Sequence, residues 1–383
     1  MNIVIAPAPF KGSLSSVAAA DAIEQGVRAV MPEAETVRLP LADGGEGTVE
    51  ALVSATRGRL VQAKVLGPLR EPVEAMFGVL GDDVTGVIEM AAAAGLDLVP
   101  ADKRNPLITT TFGVGQLIRA ALEAGCRKLI IGIGGSATND GGAGMAQALG
   151  ARLTDAQARE IGPGGQALRD LAKIDISNLD PRIALTEVFV ACDVNNPLVG
   201  PQGAAAVYGP QKGATAEMVA ILDDALSHYA DVIVRDLGRE VRDLPGAGAA
   251  GGLGAGLIAF LDARPRMGIA LVMEAVNFEQ YIEAADVLIT GEGRIDEQTF
   301  FGKVIQGVCR LAKRHGVPVI ALAGEVAHDS ERLLEEGIAA AFSIVPGPIS
   351  VEQAMQDAGP LLQEAAERVT RLLLVGSDMG RKA

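Results

Sequence analysis

The chain opens on a short apolar run, residues 2–6 (NIVIA), and continues into a segment where Ala19, Ala22, Ile23, Val27 and Val30 recur at helical spacing until Pro32 stops it. Residues 35–41 (ETVRLPL) read as a second strand, GTVEALVSAT as a second helix and residues 60–66 as a third strand. This β-α-β-α-β alternation predicts a parallel sheet. The rhythm returns late in the chain. VLIT at 287–290, a helix carrying Val304, Val308, Leu311 and Ala312, VIALA at 319–323, a helix through Leu334 and AAFSIVP at 340–346 follow one another, and helical periodicity closes the chain over 351–375.

The middle differs in texture, with EAMFGVLG, GVIEMA, KLIIGIGG and EVFVACDV separated by Pro-bounded and polar stretches and followed by the glycine-rich run GAGAAGGLGAG at 246–256. It predicts a mixed α/β unit. The economical layout is a discontinuous parallel-sheet domain, residues 1–67 and 278–383, carrying residues 68–277 as an inserted α/β domain. A length of 383 residues accommodates two domains of roughly 150 residues or more each.

Composition narrows the function classes. With 49% hydrophobic and 21% charged residues the chain is an ordinary globular protein, but its 47 glycines are well above average usage and point to many close backbone approaches. A formal charge of −15 argues against nucleic acid and anionic membrane surfaces as partners. Mean hydropathy is +0.29, yet no apolar run approaches the roughly 20 residues that span a bilayer. The start of the chain, MNIVIAPAPFKGS, lacks the basic and apolar regions of a signal peptide. Cys126, Cys192 and Cys309 are widely spaced and odd in number, which suits a reducing compartment and predicts a cytoplasmic address. His228, His315 and His328 are too scattered to suggest a histidine metal centre.

In an open parallel sheet, ligands bind beyond the carboxyl ends of the strands. Three polar, glycine-rich segments follow predicted strands of the outer domain: APAPFKGSLSS (6–16), LADGGEGT (41–48) and TGEGRIDEQ (290–298). Lys11 and Ser13 precede a helix, where free N–H groups and the helix dipole favour an anion, although Ser13 or Ser15 would serve equally as an N-cap. Asp43 and Glu46 flank Gly44 and Gly45, which suits Mg²⁺ as well as a capped turn. Gly291, Glu292, Arg294 and Asp296 supply a backbone approach, metal-type oxygens and a guanidinium for phosphate or carboxylate, or form an exposed ion-paired loop.

The inserted segment adds two more such loops. GIGGSATNDGGAG (132–144) carries Gly134, Gly135, Ser136, Asn139, Asp140, Gly141 and Gly142 ahead of a helix and could wrap phosphate with backbone N–H groups. VACDVNNPL (190–198) sets Asp193 and Asn195 directly after a β-branched strand, with Asp193 placed to orient or deprotonate a hydroxyl. Arg104, before a Thr-rich helix start, reads as structural.

Familiar fingerprints fail. There is no GxxxxGK[ST]. Residues 134–138 miss GxSxG at their last position. GAGAAG at 246–251 follows the charged REVRDLP and not a strand, so its glycines serve close packing or a nucleotide's approach. Phosphate cradles, carboxylates, a well-placed lysine and few histidines together favour phosphoryl transfer, which needs positioning and charge neutralisation. The residues alone lead to a Mg²⁺-dependent transferase acting on a small molecule in an interdomain cleft.

The ordered segments FKGSLS, LADGGEGTVEA, IEMAAAAGL, IIGIGGSATNDGGAGMAQALGA, VACDVNNPLVG, VYGPQKGA, GAGAAGGLGAG and ITGEGRID resemble the bacterial glycerate kinase family over nearly the whole chain. The resemblance implies a flavodoxin-like (Rossmann-like) domain with a second α/β domain inserted, ATP and Mg²⁺ as cofactors, and D-glycerate as substrate with 2-phosphoglycerate favoured over the 3-isomer. Under it, Asp193 orients or deprotonates the acceptor hydroxyl, and Lys11 and Arg294 counter phosphate or carboxylate charge. Asp43, Glu292 and Asp296 become metal-side oxygens, while the glycines of 132–144 hold the ATP phosphates. One departure stands out: Ala8-Pro9 occupies the place of the family's usual Asp-Ser, which removes a carboxylate and a backbone donor. The competing class is a non-catalytic two-domain sensor that binds a small organic acid. A nicotinamide-dependent dehydrogenase lacks its fingerprint.

Overall fold

A computed structural model describes residues 1–300, 304–327 and 330–380. His328 lies outside the described residues. The strands in chain order are β1 (Asn2–Ile5), β2 (Glu35–Arg38), β3 (Arg59–Leu66), β4 (Pro72–Val79), β5 (Thr85–Glu89), β6 (Lys128–Gly132), β7 (Arg152–Thr154), β8 (Lys173–Asp175), β9 (Glu187–Ala191), β10 (Arg264–Arg266), β11 (Val287–Ile295), β12 (Val319–Val326) and β13 (Ala340–Ser343). The chain divides into two compact units, the first formed by Met1–Asp43, Glu50–Thr56 and Ile269–Ala383, the second by Gly44–Val49 and Arg57–Gly268.

The first unit is built on a five-stranded, all-parallel sheet in the order β13-β12-β11-β1-β2. Counted within the unit and read from the other edge this is 2-1-3-4-5, the flavodoxin-like order, whose switch point lies between β1 and the strand beside it, β11. Ile3, Ile5, Val287, Ile289 and Leu322 from the strands pack with Ile23 and Val27 of the helix Ser16–Val30 and with Leu362 and Val369 of the helix Ala358–Gly380. The helical spacing of Ala19, Ala22, Ile23 and Val27 is thus the spacing of a buried face.

The second unit holds a six-stranded sheet, β10-β9-β6-β5-β4-β3, and a small β7-β8 ribbon. Strands β5, β6, β9 and β10 run parallel, and β3 and β4 complete the sheet antiparallel. The strand over 60–66 therefore forms, but not in the parallel sheet that its position in the sequence suggests. It is joined to β4 through a tight turn, Gly67 N–H donating to Glu71 C=O, and one of its faces (Val61, Ala63, Val65) packs on the second unit's core. Antiparallel pairing across a short turn outcompetes a distant parallel partner. A second difference lies in β11, which runs on through Gly-Glu-Gly-Arg-Ile where the glycines read as a loop. Its ladder with β12 continues to Arg294↔Glu325 and Ile295↔Val326. A side chain at Gly291 would meet the Leu322 carbonyl at 2.2 Å, so the glycine permits close pairing instead of ending it.

Candidate functional site

In the first unit the segment after β1 keeps pairing on both sides. Ala6 and Ala8 donate to the carbonyls of Ile289 and Gly291, and Leu41 donates to Pro7, all at 2.8–3.0 Å. Pro7 and Pro9 fall at the alternate positions, so the N–H groups that pair with β11 are intact, and the Ala8 methyl is buried. Phe10 and Leu14 then close a tight turn, with Phe10 buried and Lys11 exposed at its tip. Ser15, not Ser13, caps the following helix by accepting from Ala18 N–H at 3.2 Å. Ser13 Oγ donates to the Met355 carbonyl at 2.7 Å.

This turn lies beside the extended end of β11, because a Cβ on Gly293 would sit 3.8 Å from both Lys11 N and Phe10 Cα. On β11, Arg294 is exposed and pairs with Asp296 at 3.5 Å and Glu325 at 3.4 Å. Thr299 Oγ1 donates to Glu292 at 2.7 Å and accepts from the Asp296 N–H at 3.0 Å, so one hydroxyl ties the two acidic residues together. Lys11, Gly291, Glu292, Arg294 and Asp296 thus share the carboxyl edge at the β1–β11 switch point. Asp43 ends the unit's first segment, beyond β2.

Among the described residues no group of three or more His, Cys, Asp or Glu side chains forms a metal cage. Mg²⁺ does not require one, since it is commonly held by one or two carboxylates and the substrate's phosphates. The Glu292 and Asp296 oxygens are of that kind.

In the second unit the corresponding edge lies beyond β5, β6 and β9. Gly44 adopts φ +90°, and a Cβ there would meet the Ala191 Cβ at 2.3 Å; one at Gly132 would meet the Gly44 carbonyl at 2.2 Å. The floor of this edge is bare backbone, with Gly45 next to Gly134. Gly134 and Gly135 are exposed, whereas Ser136, Asn139, Asp140, Gly141 and Gly142 are buried in the inner half of the loop. Asp193 and Asn195 are exposed just past β9. Asp193 Oδ1 accepts from the Gly268 N–H at 2.9 Å, which orients the carboxylate at the start of the helix Gly268–Ala275. The neighbouring Asn196 is tied into the fold, donating to Gln202 C=O and accepting from Tyr208 OH.

Asp140 is 1% exposed and accepts from Thr111 N–H (2.8 Å), Thr110 and Thr111 hydroxyls, and Gly142 and Gly144 N–H. The protein's own carboxylate thus meets amides that lead into the helices Phe112–Glu123 and Ala143–Ala148. Burial pushes its carboxyl pKa up, against the pull of these donors. Asp140→Asn sets an amide among those donors and should lower stability by about 2 kcal/mol, measured by chemical denaturation; an unchanged midpoint would remove Asp140 as the joint of the loop.

Two further residues emerge only from the fold. Glu89, at the end of β5, accepts from Val49 N–H at 2.8 Å and caps the helix Thr48–Thr56; burial raises its pKa despite the amides of Val49, Gly47 and Thr48. Its only signal in sequence is a carboxylate ending the apolar strand GVIE. Lys212 is 1% exposed, and its Nζ donates to the Thr138 carbonyl at 2.7 Å.

Each unit is thus an α/β body whose parallel strands end in glycine-lined, carboxylate-bearing segments, the architecture of a small-molecule enzyme. The sequence profile of the glycerate kinase family matches residues 3–374. The chain is 56% identical over 379 residues to a glycerate kinase of Bacillus subtilis, covering 99% of each chain. It is 52% identical to a glycerate 2-kinase of Escherichia coli, covering 98% of this chain and 99% of that one. A crystal structure of a candidate glycerate kinase 2 from Salmonella typhimurium LT2 superposes with a TM-score of 0.91 at 53% identity, covering 99% of both chains. The chain belongs to the glycerate kinase family. Among the described residues no helix is long and apolar enough to cross a membrane.

Proposed function

We propose that this protein transfers the γ-phosphoryl group of ATP to D-glycerate in the cytoplasm, giving ADP and, in preference to its 3-isomer, 2-phosphoglycerate. The observation that carries the reading is Asp193: an exposed carboxylate, oriented by the Gly268 N–H, at the end of β9 beside a floor of bare backbone, in a chain that matches its family from end to end. The regiochemistry follows the name of the E. coli relative, a glycerate 2-kinase.

In this reading Asp193 accepts the proton of the glycerate hydroxyl as its oxygen bonds to the γ-phosphorus and the bond to the β–γ bridging oxygen of ADP breaks. Lys11 and Arg294 counter the charge of phosphate or of the glycerate carboxylate, with Ser13 holding the Lys11 turn through Met355. Gly44, Gly45, Gly134, Gly135, Ser136 and Gly291 offer backbone to the ligands, and Asn195 lies beside the base. Asn139, Asp140, Gly141 and Gly142 support this surface from within. Mg²⁺, when bound, would screen the phosphate charge, with Glu292, Asp296 and Asp43 as its carboxylates. The first unit is the host domain and the second its insertion.

The test is ADP release by the purified protein with ATP and Mg²⁺, with and without D-glycerate, followed by identification of the product. Glycerate-dependent ADP with 2-phosphoglycerate is the expected result. No ADP, with glycerate still raising the melting temperature, would support a sensor of small organic acids instead.

A further inference from the structure

The inner wall of the second unit's glycine-rich loop contains a side chain that packing does not call for. Lys212 sits on the short turn Pro210–Lys212, closed by Gly213 against the backbone of Arg104. A buried lysine is costly, and methionine would fill similar space without that cost. Burial brings its ammonium down to about 7, with the charge of Asp140 opposing.

The position of the hydrogen bond made by its ammonium shows what the lysine holds. The Thr138 carbonyl that accepts from Nζ also faces Gly251, where a Cβ would come within 1.9 Å, so the Thr138–Asn139 peptide is held by the lysine and closely packed by the Gly251 backbone. On one side of this peptide, Ala137 N–H donates to Ala94 C=O. On the other, Gly141 N–H donates to Gly251 C=O and Asp140 fixes the start of the next helix. The exposed Gly134–Gly135 arc is continuous with this gripped segment. Among the described residues, Arg104 Nε, Thr138 Oγ1, both side-chain polar atoms of Asn139 and Tyr229 OH are buried and find no hydrogen-bond partner. Thr138 and Asn139 are therefore not locked by their own side chains, unlike Asp140 beside them, and Lys212 holds their shared peptide instead. The charge of Asp140 reaches both Lys212 and Tyr229, and the Arg104 backbone lies against Gly213, the residue after Lys212.

We infer that Lys212 is a positioning residue for phosphate binding: through the Thr138 carbonyl it fixes the inner half of the 132–144 loop and so sets the exposed Gly134–Gly135 arc for the ATP phosphates. The kinetic side of this inference rests on the kinase reading; the structural side does not.

The experiment compares wild type with Lys212→Met by amide hydrogen exchange and by steady-state kinetics on the full chain. Peptides spanning 134–142 contain the bonded amides of Ala137, Gly141 and Gly142. In Lys212→Met they should exchange about tenfold faster while peptides from the first unit's sheet are unchanged. KM for ATP should rise about tenfold with kcat within about threefold, as expected for loosened binding and not for lost chemistry. If Lys212→Met does not fold, Lys212→Gln, which keeps a donor on a shorter stem, is judged by the same readouts. Unchanged exchange across 134–142 overturns the inference, as does a lowered melting temperature with KM and kcat both preserved. If the wild-type protein releases no ADP with glycerate, the kinase reading fails, and the exchange data alone decide whether Lys212 holds the loop.

Discussion

Replacing Asp193 with Asn should lower turnover roughly 10²- to 10⁴-fold while leaving the fold in place. Asparagine keeps the Oδ1 that accepts from the Gly268 N–H, so the capping bond survives while the charge and the capacity to take a proton are removed. Asp193 is also exposed, so the exchange creates no buried unsatisfied group. Steady-state rates with saturating ATP and glycerate, set beside a thermal melt, separate the two effects. A folded Asp193→Asn protein with turnover within about threefold of wild type would remove Asp193 as the base and leave it a capping residue.

Gly251→Ala should unfold the second unit far more readily, by about 4 kcal/mol. Gly251 has φ +69°, and its absent Cβ would lie 1.9 Å from the Thr138 carbonyl oxygen and 2.7 Å from Asn139 Cα. The conformational part of this is modest, because Ala250 already sits at φ +53° in the same turn. Overlap with backbone is the decisive part, since the Thr138 carbonyl is also held by Lys212. Gly238→Ala is the control. It has a similar φ of +67° with no described residue within 4 Å of a Cβ, and should cost only about 1 kcal/mol. Equal losses in the two variants, by urea unfolding, would show that the close contact at Thr138 can relax.

The elements of the first unit are legible in sequence because its helices bury one face each and its strands are apolar runs between turn signals. The carboxyl-edge segments are legible for the same reason: once a strand is placed, whatever polar run follows it lies at that edge. Pairing partners are not. Nothing in RLVQAKVL states that β3 prefers the neighbouring β4 to a parallel neighbour far along the chain, and glycines in GEGRI read as a break although they permit a ladder. Burial of polar residues is the other blind spot. Lys212 in GPQKG looks like a solvated turn lysine, and Asp140 in TNDGG like a ligand group, until the packing around each is known.

The order of the segments along the chain has a consequence for synthesis. β1 is the central partner of both β2 and β11, pairing Ile3 with Val287 and Ile5 with Ile289. At about 5–20 residues per second, the ribosome needs on the order of 15–60 s to deliver β11 after β1 has emerged. The second unit's last residue is Gly268, so its sheet is complete before β11 appears. Ile3 and Ile5 therefore wait for their β11 partners while all of the second unit's chain is already made, and a holdase binding the first forty residues would act in that interval.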